Sequence, residues 1–239
     1  MRAEPSTYRL NGHTLTLRCA AEEDAEMLLD YLKTTCGETP WLAWGPEEVT
    51  MTVQEEKAFI RGQNESPANL MLLAFWDGEH AGNASLMGFS MARYRHRAQL
   101  AVALYQKFTG RGIGTILLEE LIAAARKMGL EQLELEVAAH NTGAIALYKK
   151  LGFEVCGALP RNMKYPDGSY EDVLFMAKPL GEESAEWARP SSWWTTNGRS
   201  PILWRCIFKT RATGYSSAAP PLRRWPALKR TSRTWPFWT

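Results

Sequence analysis

No uninterrupted apolar run in this chain is long enough to cross a bilayer, and residues 1–17 lack the unbroken apolar stretch of a secretory signal. A cytoplasmic protein without a membrane span is the expectation. Cysteine is scarce: Cys19, Cys36, Cys156 and Cys206 form no Cys-x-x-Cys pair and no His/Cys cluster at metal-ligand spacing. Free thiols in a reducing compartment follow, and no metal is expected. The four histidines, His13, His80, His96 and His140, are equally dispersed and read as surface or loop residues. What is abundant is core material, since 45% of residues are apolar and 23% charged, which excludes wholesale disorder.

The formal charge of +2 hides two unlike parts. Residues 1–180 hold 18 basic and 23 acidic side chains, whereas residues 181–239 hold 10 and 3. Seven of the ten tryptophans also fall in that last segment, with no sustained period of 2 or 3.6 among its apolar residues. The reading is one folded domain over 1–180, followed by a basic, Trp-rich tail over 181–239, unstructured or aberrant.

Within 1–180 the hydrophobic period alternates between that of strands and that of helices. Strands are expected at 14–18, 70–76, 86–91, 99–104, 133–137, 153–158 and 170–177, and helices at 20–33 and 55–61. The strongest signal is a helix opening in the cluster Gly110-Arg111-Gly112-Ile113-Gly114, where Ile113, Ile116, Leu117, Leu121 and Ala124 form one apolar stripe. Arg126 and Lys127 suit its last turn, and Gly129 its left-handed stop. A further helix is capped by Asn141, carries Ala144, Ile145, Tyr148 and Leu151, and ends at Gly152. Crossover helices between strands predict a mixed α/β fold with at least one parallel strand pair.

A strand entering glycines that open a helix suits an anionic phosphate, because backbone N–H groups can approach the ligand and the helix N-terminus adds partial positive charge. Arg111 adds a full charge. The spacing discriminates among ligands. A P-loop requires Gly-Lys-Ser/Thr, but Gly114 is followed by Thr115 and Ile116. A dinucleotide fingerprint requires a third glycine three positions after Gly112, where Thr115 stands, and an acidic residue after the next strand is missing.

The segment Thr109-Gly110-Arg111-Gly112-Ile113-Gly114 resembles the coenzyme A pyrophosphate loop of the GNAT superfamily of N-acetyltransferases. The likeness continues through Leu133-Glu134-Leu135-Glu136-Val137, Asn141 to Tyr148, and Lys150-Leu151-Gly152-Phe153, and spans about residues 12–180. Thr109 departs from the family's usual Gln or Arg. The resemblance implies a strongly bent mixed sheet flanked by helices, with the pantetheine arm of acetyl-CoA in a notch between the strands at 100–104 and 133–137. It also implies a cosubstrate site built from Val102, Leu104, Thr109, Gly110, Arg111, Gly112, Ile113, Gly114, Thr115 and Asn141. An oxyanion donor is expected in a backbone N–H near Leu104.

By the same resemblance Tyr148 is the expected general acid for the departing thiolate, set against a plain core aromatic. Asn141, seven residues earlier on the same helix face, either contacts the pantetheine, caps its helix, or does both. Glu136 occupies the strand position where ribosomal-protein alanine N-acetyltransferases, one branch of the family, are thought to carry a base. Glu134 shares its face, so a solvated glutamate pair is the competing reading. Arg93, Arg95 and Arg97 are a second candidate anion site or a solvated strand face. Segments 41–61 and 160–170, with Trp41, Trp44 and Tyr165, are expected beside the acceptor amine. That acceptor is a small molecule or a protein amine, and a homodimer is compatible with the sequence. Two other classes remain as alternatives: a non-catalytic acyl-CoA sensor on the same fold, and a nucleic-acid-binding module acting through the basic tail. Nucleic acid is the less favoured partner.

Overall fold

The computed structural model describes residues 3–181, so the reading of the 181–239 tail lies outside the described residues apart from Gly181. The chain opens with a hairpin that the periodicity alone did not reveal. Strand β1 (Ser6–Leu10) turns back at Asn11-Gly12 into β2 (His13–Cys19). Both turn residues have positive φ, 50° and 87°, the backbone of a two-residue turn that Asn-Gly favours. A short 3₁₀ turn, Glu22–Asp24, then leads into α1 (Ala25–Glu38). Asp24 holds that junction, accepting the Ala21 N–H at 2.8 Å and both Arg18 guanidinium nitrogens at 2.7 Å. Helix α1 starts five residues later than expected and runs five further.

Helix α2 (Val53–Glu65) outruns the expected 55–61 at both ends, its start fixed by a reciprocal capping box between Thr52 and Glu55. Strand β3 (Asn69–Trp76) follows, then β4 (Glu79–Gly88), β5 (Arg97–Leu104), α3 (Ile113–Lys127), β6 (Gln132–Ala138), α4 (Thr142–Lys150), β7 (Glu154–Lys164) and β8 (Tyr170–Pro179). The hairpin partner of β3 was expected at 86–91, but β4 starts at Glu79 and ends at Gly88. The Asp77-Gly78 turn, with φ 50° and 89°, returns the chain at once, and the small residues of β4 had masked its alternation.

The sheet is open and mixed, in the order β1-β2-β3-β4-β5-β6-β8-β7. Every adjacent pair is antiparallel except β5 and β6, which are parallel. Strand β3 is buried on both faces, hence its continuous apolar run. Its Leu70, Leu72, Ala74 and Trp76 join the large core with α3, where Ile113, Leu117, Leu118 and Leu121 are fully buried. Met71 and Leu73 face the other way, into a smaller core with Leu28 and Tyr31 of α1 and Ile60 of α2. Helices therefore cover both sides of the sheet. None of the described helices is long and apolar enough to cross a membrane.

Candidate active site

Helix α3 begins at a loop whose backbone is left-handed twice, at Gly110 (φ 74°) and at its N-cap Gly112 (φ 85°). Thr109, Gly110, Arg111 and Gly112 are exposed. The first N–H to find a backbone acceptor is that of Ile116, which donates to Gly112 at 3.3 Å. Those of residues 110–115 donate to nothing among the described residues. No acidic side chain stands in the first turn to offset the helix dipole. The Arg111 guanidinium lies 5.4 Å from the Phe108 ring centroid and 5.7 Å from that of Trp76, with no carboxylate partner among the described residues. Six consecutive N–H donors, a helix N-terminus and an unpaired cation together form an anion cradle.

Gly114 serves differently from Gly110 and Gly112. It is buried, and a Cβ there would meet Leu147 of α4 at 3.2 Å. Its missing side chain thus lets α4 pack against the start of α3. Thr115 and Ile113 sit in that first turn, half-buried and buried.

The parallel pairing of β5 with β6 is brief: Arg97, Ala98 and Gln99 match Gln132, Leu133 and Glu134, and there it stops. Beyond that point β5 stays with β4 as far as Leu104 and β6 stays with β8 as far as Ala138. A notch opens between residues 100–104 and 135–138, with Val102 and Leu104 half-buried along its β5 side. The cradle follows β5 directly in the chain, through the 3₁₀ turn Gln106–Phe108.

Helix α4 leads from the end of β6, and its termini explain why Tyr148 is where it is. Asn141 caps it by accepting the Ala144 N–H at 3.2 Å through Oδ1, while its amide Nδ2 has no partner among the described residues. Capping is thus established for Asn141, with donors to spare. At the other end Phe153 donates its N–H to the Tyr148 carbonyl at 3.0 Å and Gly152 donates to Lys149 at 3.0 Å. That is a Schellman stop with Gly152 left-handed at φ 84°. Such a stop brings the third-last side chain onto the residue after the glycine, and the Tyr148 and Phe153 rings lie edge to face at 6.1 Å. Tyr148 is buried, its hydroxyl makes no hydrogen bond among the described residues, and burial pushes the phenol up to about 12. It keeps its proton throughout the neutral range. Glu171, itself buried, secures the approach to this helix by accepting the His140 N–H at 2.9 Å and facing its Nδ1 at 2.8 Å.

The two strand glutamates are not a solvated pair. Glu134 is bound by Arg97 at 2.6 Å, and that guanidinium also lies 4.8 Å from the Phe89 ring centroid and 4.6 Å from that of Tyr94. Arg97 is thereby withdrawn from the second candidate anion site. Glu136 has no hydrogen bond or ion pair among the described residues, and its carboxyl is held above the usual carboxylate range, first by burial and then by the Glu134 charge. His80 is another correction: it is a buried strand residue ringed by Tyr31, Phe75 and Tyr105, and desolvation lowers it to about 4, so it stays neutral.

Of the residues expected beside the acceptor, Trp44 packs against the cluster of Leu29, Leu32, Cys36 and Val49, and Trp41 is half-buried. The Tyr165 hydroxyl is sealed and unpartnered. Sequence reasoning missed Glu56, a buried carboxylate on α2. Its position one turn before Ile60 on the inner helix face was the available signal.

Residues 33–153 match the acetyltransferase (GNAT) family. Over 126 residues the chain is 36% identical to a [ribosomal protein bS18]-alanine N-acetyltransferase of Salmonella typhimurium, an alignment covering 52% of this chain and 80% of that protein. An L-amino acid N-acetyltransferase of Escherichia coli is 29% identical over 117 residues, covering 48% and 70%. Among solved structures, the GNAT-family acetyltransferase of Streptococcus pneumoniae superimposes with a TM-score of 0.67 at 31% identity, over 69% of this chain and 99% of that one. With its anion cradle, its splayed parallel strands and these likenesses, the chain belongs to the GNAT family of acetyltransferases and is an N-acetyltransferase.

Proposed function

We propose that the chain transfers the acetyl group of acetyl-CoA directly to a primary amine, with residues 1–180 as the working domain. The observation that carries this reading is the run of unspent N–H donors at residues 110–115 beside the stretch of β5 that has parted from β6. Thr109 to Thr115 and Arg111 would hold the diphosphate, while Val102, Leu104 and the free amide of Asn141 would line the pantetheine arm. Acetyl-CoA supplies an activated thioester carbonyl. The amine nitrogen bonds to that carbonyl carbon, a backbone N–H near Leu104 stabilises the oxyanion, and the carbon–sulfur bond then breaks.

The acceptor nitrogen sheds one proton before attack and a second as the amide forms, while the departing sulfur takes one up. A lysine-type amine costs roughly 4 to 5 kcal/mol to deprotonate at pH 7, an α-amine only about 1.4. Glu136 takes the proton lost by the amine, which suits a carboxylate raised above its usual range and left without a partner. Tyr148 gives its proton to the departing sulfur, and its phenolate takes back the second proton that the acylated nitrogen sheds. Its burial suits the role, because an acid must remain protonated until the step occurs. The names of the relatives make an α-amine, on a protein N-terminus or an amino acid, the first acceptor class to try.

Tyr148→Phe tests the assignment. Thiol release in the presence of an accepted amine should fall by about 10²- to 10⁴-fold, with acetyl-CoA affinity by calorimetry unchanged. Undiminished turnover would remove Tyr148 from the mechanism.

A further inference from the structure

Helix α1 sends one polar group down onto the sheet. Tyr31 lies on its buried face one turn after Leu28, and its ring meets those of His80 and Tyr105 edge to face, each at 5.0 Å between centroids. The two rings fix where the phenol oxygen ends. Below it Ala103 of β5 pairs with Asn83 of β4, and the short Ala103 side chain leaves the main chain within reach. The Tyr31 hydroxyl donates to the Ala103 carbonyl at 2.7 Å, while Asn83 Oδ1 stands farther off at 3.4 Å.

The Ala103 carbonyl shares its peptide group with the Leu104 N–H, and two contacts fix how that group is turned. A Cβ on Gly82 of β4 would overlap the Ala103 oxygen, and the Tyr105 N–H donates to the Ala81 carbonyl of β4 at 3.0 Å. Both main-chain groups therefore point toward β4. Successive residues of a strand turn their main-chain groups to opposite sides, so the Leu104 N–H between them points the other way. On that side β5 has parted from β6, because their pairing ends at Gln99 and Glu134. The N–H assigned above to the oxyanion thus faces the notch, and its peptide is gripped from behind by Tyr31.

A donor on a peptide oxygen draws electron density from the nitrogen, since the C–N bond is partly double, and the N–H becomes a stronger donor in turn. The same bond resists rotation of the peptide plane. We infer that Tyr31 is a positioning residue for acetyl transfer: through the Ala103 carbonyl it aims and strengthens the Leu104 N–H toward the thioester oxygen, without touching the substrate itself. The inference rests on the acetyl-transfer reading and deepens it at the oxyanion donor. Coupling between linked hydrogen bonds changes each by about 10–30%, so the hydroxyl's removal should weaken the Leu104 donor without abolishing it.

The test uses the full-length chain and acetyl-CoA carrying carbon-13 at the thioester carbonyl, whose infrared stretch falls when its oxygen accepts a hydrogen bond. No amine is added. The bound carbonyl of the wild type should absorb below that of free acetyl-CoA. Tyr31→Phe keeps the ring in its aromatic clamp, and should return the band about 10–30% of the way to the free position with acetyl-CoA affinity by calorimetry unchanged. Replacing Tyr31 by 3,5-difluorotyrosine gives a stronger donor of nearly the same size, and burial, which drives this phenol far upward, keeps it protonated. That band should fall below the wild type's. A role in packing alone predicts one band position for all three proteins, and that result overturns the inference. The parent readings fail differently: a wild-type band at the free position despite calorimetric binding removes the Leu104 donor and this inference with it, whereas no binding of acetyl-CoA at all removes acetyl transfer itself.

Discussion

Of the left-handed glycines among the described residues, two lie at the cradle, and Gly129 at the far end of α3 is a matched control. Gly110, Gly112 and Gly129 have φ of 74°, 85° and 73°, and a Cβ built on any of them meets no protein atom within 4 Å. Alanine at each therefore costs only the strain of a left-handed L-residue, about 1 kcal/mol. For a domain of this size that lowers Tm by about 2 to 4 °C. Gly129 closes the far end of α3, where its N–H donates to Arg126 and that of Leu130 to Ala125, both at 3.0 Å. Gly112 sits at the other end, among donors with no protein acceptor. A methyl group there stands where a diphosphate must approach, and each charge-assisted N–H bond it displaces is worth about 1.5 to 3 kcal/mol. Gly112→Ala should thus weaken acetyl-CoA binding about 10- to 150-fold beyond any effect of Gly129→Ala, while the two variants melt alike. Calorimetry with acetyl-CoA and thermal denaturation of both proteins provide the comparison. Equal affinities in the two variants would show that the anion does not sit against these amides, and the function built on them would fall.

Asn141→Asp retains a cap acceptor for the Ala144 N–H but removes the spare amide donor. Stability should hold while acetyl-CoA affinity falls about tenfold, whereas Asn141→Ala should lose about 1 kcal/mol of stability as well; wild-type affinity in the Asp variant would restrict Asn141 to capping. Glu136 must be ionised to act as a base, so with its pKa raised the rate should be present above that value and decline as pH falls through it. Glu134→Gln removes the neighbouring charge and should move that acid limb to lower pH; Glu136→Gln should abolish the limb and cut kcat about 10²-fold or more. A limb that survives Glu136→Gln assigns the base elsewhere.

From β2 onward the order of strands and helices, the start and stop of α3 and the Asn141 cap were legible in the chain itself. They rest on local chemistry: period 2 or 3.6, left-handed glycines, and a side chain reaching three residues onward. Where local signals were overlooked, as at Asn11-Gly12 or the Thr52/Glu55 box, the residues were present in the text of the sequence. The assignments that failed depended on distant neighbours. Arg93, Arg95 and Arg97 looked alike until Glu134, 37 residues from Arg97, claimed one of them and left Glu136 alone. His80 and Glu56 read as ordinary polar residues until α1 and the sheet desolvated them. The notch itself is a register that ends at Gln99 and Glu134, and no pattern within either strand announces that end. Sequence determined which backbone and chemical groups were available, because those properties belong to single residues and their immediate neighbours. Tertiary structure decided which groups lost water and which found partners, since desolvation and ion pairing arise only when remote segments meet.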